Sequence, residues 1–218
     1  MFRPAATALP GVRTSSICHL PYAHLNLRRN PFGEFSEEDR TVLAQVDVGD
    51  VVSRLSEPGF VVQYVGEKGY GKTTHLLSIR SHFDTARYVH IAEGERGIVP
   101  SGCPILIDEA QRLTLWQRMR LFRSRVPLVL GTHRDFSREL RRAGRVLQTI
   151  QVEAETDVNR LHQLLNTRIL WVRRNDGPLP SITRSTASSL LQRFGPNIRG
   201  ILHELYEVFQ NQPVITDV

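Results

Sequence analysis

The sequence predicts an α/β fold, in which helices flank a parallel sheet and a small all-α region follows. Short apolar runs alternate with helix-like runs from residue 60 to residue 150, which is typical of parallel strands joined by right-handed crossovers. From residue 157 onward the strand pattern stops, and apolar residues recur only at helical spacing. The 218 residues leave room for one α/β core and a small appended domain.

The first predicted strand, residues 60–65, leads into a glycine-rich loop with the pattern G-x-x-x-x-G-K-[ST]. The loop and the residue after it are Gly66, Glu67, Lys68, Gly69, Tyr70, Gly71, Lys72, Thr73 and Thr74. Glycines let successive N–H groups point at an anion, and the N-terminus of the following helix adds positive potential. We therefore expect stretch 66–74 to bind nucleotide phosphates. Lys72 would reach the β- and γ-phosphates, and the Thr73 hydroxyl would ligate Mg²⁺.

A second motif is the apolar run 103–107, which ends in Asp108 and Glu109. Such a run is typical of a buried parallel strand, and open α/β sheets bind ligands at the carboxyl ends of their strands. Asp108 is then placed to hold Mg²⁺ through its water shell, and Glu109 to orient and deprotonate the attacking water. The alternative is that both carboxylates only cap the next helix. A phosphate loop about 35–40 residues upstream favours hydrolysis.

The remaining elements follow from periodicity and from turn residues. The predicted strands are 60–65, 87–91, 105–108, 128–130 and 146–150. The predicted helices are 36–55, 72–83, 110–122, 137–145, 157–174, 185–194 and 197–210.

Polar residues follow the fourth strand, at the edge where Asp108 is expected. Thr132 is the candidate for contacting the γ-phosphate or the attacking water, and His133 is the second choice. The alternative is that Thr132 caps the next helix.

The net charge of +6 is concentrated in two segments. Residues 1–33 carry four arginines and no acid, and residues 112–145 carry 10 arginines against Asp135 and Glu139. Residues 34–111 carry 7 basic and 13 acidic residues. We therefore expect block 112–145 to bind one of two partners, either a nucleic-acid backbone or the acidic region of a neighbouring copy of the chain. No recognition-helix or zinc-finger pattern decides between these partners.

Residues 1–30 contain three prolines and no sustained period, which predicts a disordered basic tail. A transit peptide is the alternative, although the prolines would interrupt its helix. The sequence has two cysteines and no apolar run near the roughly 20 residues that span a bilayer. We expect a cytoplasmic protein without a membrane span.

The sequence resembles a minimal AAA+ ATPase in the order of its motifs. A phosphate loop comes first, followed by an Asp-Glu strand, a polar residue after the next strand, a basic helix and a small helical domain. This class of P-loop NTPase implies the sheet order 5-1-4-3-2. It also implies an ATPase core over 31–152 and a helical lid over 153–218. Residues 27–32 further resemble the entry segment of ExeA-like ATPases, which are close to the TniB, TnsC and MuB transposition group.

The resemblance also implies roles for single residues. Gly66–Thr73 would be the Walker A loop, and Asp108 with Glu109 the Walker B pair. Thr132 would be sensor 1, and Arg199, early in the last helix, would be sensor 2. The finger offered to a neighbouring subunit would be one of Arg141, Arg142 and Arg145. The three competing arginines, and the charges of Glu67 and Lys68 inside the loop, depart from the family pattern.

The sequence thus predicts an ATP- and Mg²⁺-dependent hydrolase that assembles head to tail and whose nucleotide state controls a partner, either DNA or an unidentified protein. Adenine would lie between the sheet and the helical domain. Two alternatives stay open. One is a nucleotide-dependent switch or adaptor with negligible turnover, which Glu109 argues against because a sensor needs no general base. The other is a P-loop kinase, which the helical C-terminus disfavours.

Overall fold

The computed structural model describes residues 21–44 and 46–218. The strands are β1 (Phe60–Val65), β2 (Arg87–His90), β3 (Ile105–Asp108), β4 (Leu128–Thr132) and β5 (Val146–Gln151). The helices are α1 (Glu37–Val42), α2 (Gly49–Arg54), α3 (Lys72–Arg80), α4 (Leu115–Arg123), α5 (Ser137–Arg142), α6 (Val158–Trp171), α7 (Arg184–Phe194) and α8 (Ile198–Asn211). Within these described ranges, none of the helices is long and apolar enough to cross a membrane.

The five strands form one parallel sheet in the order β2-β3-β4-β1-β5. This order confirms the predicted sheet. Strands β1, β3 and β4 are buried along their whole length, because helices cover both faces of the sheet. Their carboxyl ends meet at one edge, and β1 leads there directly into the glycine-rich loop. The fold therefore brings the loop and the end of β3 together.

Each face of the sheet has its own apolar core. Leu76 and Ile79 of α3 pack on one face, against side chains such as Val62, Leu106 and Val129. On the other face, Leu121 and Phe122 of α4 pack with Phe136 and Leu140 at α5. An ion pair joins these two helices, because Arg118 Nε lies 3.0 Å from Glu139 Oε2. Helices α4 and α5 therefore lie side by side, with their outer faces toward solvent.

The C-terminal helices share a third core with the N-terminal segment. Leu25 and Leu27 are fully buried, and Phe32, Phe35 and Leu43 join them against α6, α7 and α8. The prediction of a disordered tail is therefore wrong for residues 21–30, while residues 1–20 lie outside the described part. Phe32, Phe35 and Leu43 likewise pack with the helical region that we predicted over 153–218. Helix α1 also contacts α3 beside the sheet, where Glu37 Oε2 lies 3.4 Å from Arg80 Nη1.

Two predicted helices are interrupted. The helix predicted over 36–55 is split into α1 and α2, where Asp47 Oδ1 accepts a hydrogen bond from the Gly49 N–H and starts a new helix. The helix predicted over 110–122 is a short 3₁₀ turn, Ala110–Arg112, followed by α4. The reason is a capping box, in which Thr114 and Gln117 satisfy each other's backbone N–H groups and restart the helix.

Candidate nucleotide-binding site

The glycine-rich loop wraps around the N-terminus of α3. Gly69 and Gly71 have φ angles of +95° and +91°, a region that residues with a Cβ adopt only at a cost. Helix α3 begins at Lys72, immediately after Gly71. Backbone N–H groups at a helix start have no partner within the helix, and they form a natural site for an anion. The local structure is a glycine-rich turn that leads directly into a helix, as the sequence pattern predicted, and phosphate binding by this loop stays a prediction.

Lys72 lies beneath the loop. Its Nζ donates to the carbonyl oxygens of Gly66 at 2.7 Å and Glu67 at 2.8 Å, and the side chain is almost fully buried. Burial lowers the pKa of the Lys72 ammonium, while the carboxylates of Glu109, Asp108 and Glu67 oppose that shift. The ammonium thus has acidic neighbours and a fixed position, and its third proton is available to an anion in the loop.

Thr73 and Asp108 meet directly. The Thr73 hydroxyl donates to Asp108 Oδ2 at 2.7 Å, although the two residues are 35 positions apart. Asp108 is 1% exposed, and its Oδ1 accepts from the Glu109 N–H at 3.1 Å. Gly131 on β4 provides the space, since a Cβ there would lie 2.7 Å from Asp108 Oδ1. The two residues predicted to hold Mg²⁺ are therefore adjacent.

Two side chains of β2 also reach this carboxylate, and the sequence did not indicate them. Tyr88 Oη donates to Asp108 Oδ2 at 3.3 Å, and His90 Nδ1 lies 3.3 Å from the same oxygen. Burial, reinforced by the Asp108 carboxylate, raises the pKa of the Tyr88 phenol, so its hydroxyl stays a hydrogen-bond donor at neutral pH.

Glu109 adopts a left-handed conformation with φ of +62°, which turns its side chain along the carboxyl edge of the sheet. Three side chains hold its carboxylate. Gln111 Nε2 donates to Oε2 at 2.8 Å, Arg112 Nη2 lies 3.4 Å from Oε2, and His133 Nε2 lies 3.3 Å from Oε1. Sequence reasoning assigned no role to Gln111 or Arg112, because their contacts depend on the turn after β3.

Thr132 and His133 differ in their surroundings. Thr132 is fully buried, and its hydroxyl accepts from the Arg134 N–H at 2.9 Å within the turn after β4. It does not cap the next helix, because the N-cap residue of α5 is Phe136. His133 bridges the two acidic sides of the site, with Nε2 3.3 Å from Glu109 Oε1 and Nδ1 3.7 Å from Glu67 Oε2. Of the two candidates, His133 is the one beside the predicted general base.

Arg199 lies at the start of α8, where that helix touches the loop. A Cβ on Gly69 would lie 2.7 Å from Asn197 Oδ1 and 3.0 Å from Arg199 Cβ. Asn197 caps α8 by accepting from the Gly200 N–H at 3.0 Å. The positive charge of Arg199 contributes to lowering the pKa of Lys72, so the two basic groups face the same region.

A cavity lies between the loop and the helical region. Tyr70, Gly71, Thr74 and His75 line one side, and Leu164 and Ile198 line the other. It occupies the place where adenine was expected.

The three finger candidates differ in exposure. Arg141 and Arg142 are exposed at the end of α5. Arg145 is buried, donates to the carbonyl oxygens of Ser124 and Val126, and has its pKa lowered to about 10 by burial. Arg145 therefore holds its own chain together, and only the other two point to solvent.

The residues at the loop fit a nucleotide with Mg²⁺. A buried lysine and helix N–H groups suit phosphate, and the adjacent oxygens of Thr73 and Asp108 suit a hard cation. Among the described residues, no group of three or more His, Cys, Asp or Glu side chains could hold a metal ion.

The sheet order, the loop and the helical C-terminus together define the fold of a P-loop ATPase. Among solved structures, the chain is similar to a mutant of Thermotoga maritima RuvB, with 18% identity and a TM-score of 0.50 over 84% of this chain and 66% of that one. It is also similar to a Thermotoga maritima RuvB Holliday junction branch migration motor, with 19% identity and a TM-score of 0.46 over 80% and 61%. A third structure, another RuvB mutant, has 20% identity and a TM-score of 0.47 over 83% and 65%.

These similarities concern the fold. This chain spans less than two thirds of the length of the RuvB chains. No protein-family model matches the sequence, and no curated protein matches it either. The narrower resemblance to the ExeA, TniB, TnsC and MuB group stays a prediction.

Proposed function

We propose that this chain binds ATP with Mg²⁺ and hydrolyses the ATP to ADP and phosphate. One observation carries the proposal: the Thr73 hydroxyl and the Asp108 Oδ2 lie 2.7 Å apart, and the buried ammonium of Lys72 interacts with the carboxylates of both Asp108 and Glu109. A cation-binding oxygen pair, a phosphate-binding lysine and a general base are the parts that phosphoryl transfer to water requires.

Each residue has a distinct role in this proposal. The N–H groups of loop 66–73 and the Lys72 ammonium hold the phosphates, and Tyr70 with Ile198 encloses the base in the cavity. Thr73 and Asp108 hold Mg²⁺, which when bound neutralises charge on the phosphates. Glu109 accepts the proton of the attacking water.

The contacts of Glu109 favour a second candidate, a nucleotide-dependent switch with slow basal turnover. Its side chain is only 13% exposed, and it is held by Gln111, Arg112 and His133. A base engaged in this way abstracts a proton efficiently only after some of these contacts open. We therefore expect slow turnover from the isolated chain and faster turnover once a partner or a neighbouring subunit shifts His133 or Arg112.

Assembly is the second part of the proposal. Arg141 and Arg142 are exposed, so either can reach the nucleotide of an adjacent subunit, whereas Arg145 is committed to its own chain. Arg199 would act from within the same chain, since it faces the region of Lys72. A trans arginine can contribute about 10³–10⁵ in rate, so turnover per subunit should depend on protein concentration.

The partner that fits block 112–145 is a nucleic acid. The outer face of α4 carries Trp116, Arg120 and Arg123, and the outer face of α5 carries Arg138 beside the finger candidates. Within the described residues these arginines form no ion pair. The two acids of the block are engaged, Glu139 by Arg118 and Arg134, and Asp135 by Gln63 and Ser137.

The alternative partner, the acidic region of a neighbouring copy, is less well supported. Several acids of residues 34–111 already have partners within the chain. Asp39 pairs with Arg29, Glu57 with Arg54, and Glu37 with Arg80. Trp116, which is 80% exposed beside the exposed arginines of α4, favours a nucleic acid, because bases can stack on it while the arginines contact phosphates.

The test is ATP turnover per subunit across a protein concentration series, with and without duplex DNA, at low and at moderate salt. We expect the rate to rise with concentration and again with DNA, and the DNA effect to weaken with salt. ATP binding with a flat, slow rate and no DNA effect would instead favour the switch. Absence of ATP binding would reject both candidates.

A further inference from the structure

The Asp108 carboxylate is surrounded by an unusual set of donors. Its Oδ2 lies 2.7 Å from the Thr73 hydroxyl, 3.3 Å from Tyr88 Oη and 3.3 Å from His90 Nδ1. Its Oδ1 accepts from the Glu109 N–H. The phosphate-loop pattern requires only the threonine, so the phenol and the imidazole are additions made by this chain.

Strand β2 places both side chains by simple alternation. It is one of the two edge strands of the sheet, and it pairs in register with β3, so that Tyr88 lies beside Leu106 and His90 beside Asp108. Residues two apart on a strand share a face, and this face packs against α3. His90 therefore reaches Asp108 from the position directly paired with it, and Tyr88 reaches it from two residues earlier on β2.

The two contacts are not equivalent. Tyr88 is partly buried, packs with the core under α3, and has the guanidinium of Arg80 5.8 Å from its ring centroid. His90 has a side chain that is 49% exposed, so water competes for its contact. The phenol is thus the better fixed of the two donors.

We propose that Tyr88 is a positioning residue, which holds the Asp108 carboxylate with Oδ2 turned toward Thr73 and so sets the affinity of the nucleotide site for its divalent cation. The inference rests on the proposed function, because it concerns the cation of the same site. His90 gives weaker support to the same oxygen. Groups that orient a metal-binding carboxylate typically change metal affinity by about 10–100-fold when they are removed.

The test uses the full chain and its Tyr88→Phe variant, which removes one oxygen atom and keeps the ring. Mn²⁺ serves as the probe, because its electron paramagnetic resonance signal reports binding directly. Titrations in the presence of a non-hydrolysable ATP analogue should give a Mn²⁺ Kd at least about 10-fold higher for the variant. The Kd of the analogue without metal should stay within about 2-fold of the wild-type value, because Tyr88 does not line the phosphate loop.

Tyr206→Phe is the matched control. It removes the same atom from a tyrosine in the core of the C-terminal helices, away from the site. Its Mn²⁺ Kd should equal that of the wild-type chain. Turnover provides a second readout: at saturating Mg²⁺ the Tyr88→Phe rate should approach the wild-type rate, with the half-saturating Mg²⁺ concentration raised by the same factor as the Mn²⁺ Kd.

The possible outcomes distinguish a failure of the positioning role from a failure of the proposed function. If the wild-type chain binds the analogue and Mn²⁺, and Tyr88→Phe binds Mn²⁺ equally well, the positioning role is rejected and the proposed function stands. If Tyr88→Phe also loses metal-free analogue binding or unfolds at a much lower Tm, the residue is structural and the inference is rejected. If the wild-type chain binds neither the analogue nor Mn²⁺, the proposed function fails first.

Discussion

The proposed nucleotide-binding site and the surface formed by α4 and α5 differ in how their charged side chains are held. At the site, Lys72, Asp108 and Glu109 are each held by groups of the same chain. On the outer face of α4, Arg120 and Arg123 point to solvent with no ion-pair partner among the described residues. The charged groups at the site are held within the chain, whereas the charges of these two surface arginines have no carboxylate partner among the described residues.

This difference indicates that the site suits a chemical reaction and that the surface of α4 and α5 suits binding of a partner. Fixed charges suit a reaction, because groups that need no reorganisation stabilise developing charge most effectively. Exposed arginines suit a backbone of phosphates, because binding to it requires positive charge more than a fixed geometry. Changes at the site should therefore alter rate and nucleotide affinity, and changes at the surface should alter partner affinity and salt dependence.

The largest expected effect is at Glu109. Replacing it with glutamine keeps the size and most hydrogen bonds but removes the proton acceptor, so kcat for ATP hydrolysis should fall by about 10²–10⁴-fold with ATP affinity retained. Steady-state phosphate release and equilibrium ATP binding measure the two quantities. Glu204→Gln, at an exposed ion pair with Arg193, is the control and should keep the wild-type rate. Unchanged turnover in Glu109→Gln would remove this residue from the mechanism.

The next effect tests the surface. The double change Arg120→Gln with Arg123→Gln should weaken duplex DNA binding by about 10-fold or more at low salt. It should also flatten the slope of log Kd against log salt by about 2, because each phosphate contact contributes about one unit. The measurement is fluorescence anisotropy at several salt concentrations.

The control for the surface is Arg174→Gln with Arg184→Gln, which removes the same charge from two exposed arginines of the helical region. Equal losses in both double variants would mean that net charge alone drives binding. No loss in the α4 variant would assign the surface to another partner.

A smaller effect is expected at Gly69, where the loop meets α8. Alanine there would be strained by the φ of +95° and would crowd Asn197 and Arg199, so we expect a loss of stability of about 1–3 kcal/mol together with weaker ATP binding. Gly144→Ala is the control, because Gly144 has a φ of +74° but no atom within 4 Å of an added Cβ. If both variants lose the same stability and neither changes ATP binding, the loop and α8 are not coupled.

The smallest effect concerns an ion pair away from both regions. A hydrogen bond from Arg29, with smaller help from Trp171, lowers the pKa of Asp39 below 3.8. Because this pKa is lower in the folded chain than in the unfolded chain, the pair stabilises the fold above pH of about 3.8 and loses that effect as the pH falls through the folded value. The Tm of Asp39→Asn should therefore fall less steeply than the wild-type Tm from about pH 5 to about pH 3. Asp84→Asn, at an exposed carboxylate, should follow the wild-type curve.

The features that could be predicted from the sequence are those formed by residues that are adjacent along the chain. The glycines and Lys72 of the loop are contiguous, and Asp108 ends a plain apolar run, so these two motifs could be predicted from the residues themselves. The order of the strands was implied by the resemblance to AAA+ ATPases, and the structure confirms it. The split of the predicted helix over 36–55 includes a local hydrogen bond from the Gly49 N–H to Asp47 Oδ1, which periodicity does not reveal.

The contacts that were missed depend on register and on distant packing. Tyr88 and His90 reach Asp108 only because β2 pairs with β3 in one particular register, which no pattern within either strand specifies. Leu25 and Leu27 looked like part of a tail because their partners lie more than 130 residues away, in the C-terminal helices. Arg145 was as good a finger candidate as Arg141 and Arg142, because the residues adjacent to an arginine in the sequence do not indicate whether its side chain is buried.

The most direct test of the account is the binding of ATP to Lys72→Ala, measured by calorimetry beside the wild-type chain. Lys72 is the buried lysine of the loop, and Lys68, the other lysine of the sequence, is exposed in the same loop. We predict that Lys72→Ala loses ATP binding, whereas Lys68→Ala changes the affinity for ATP far less. Retained ATP affinity in Lys72→Ala would contradict the assignment of this loop as the phosphate site, and with it the proposed function.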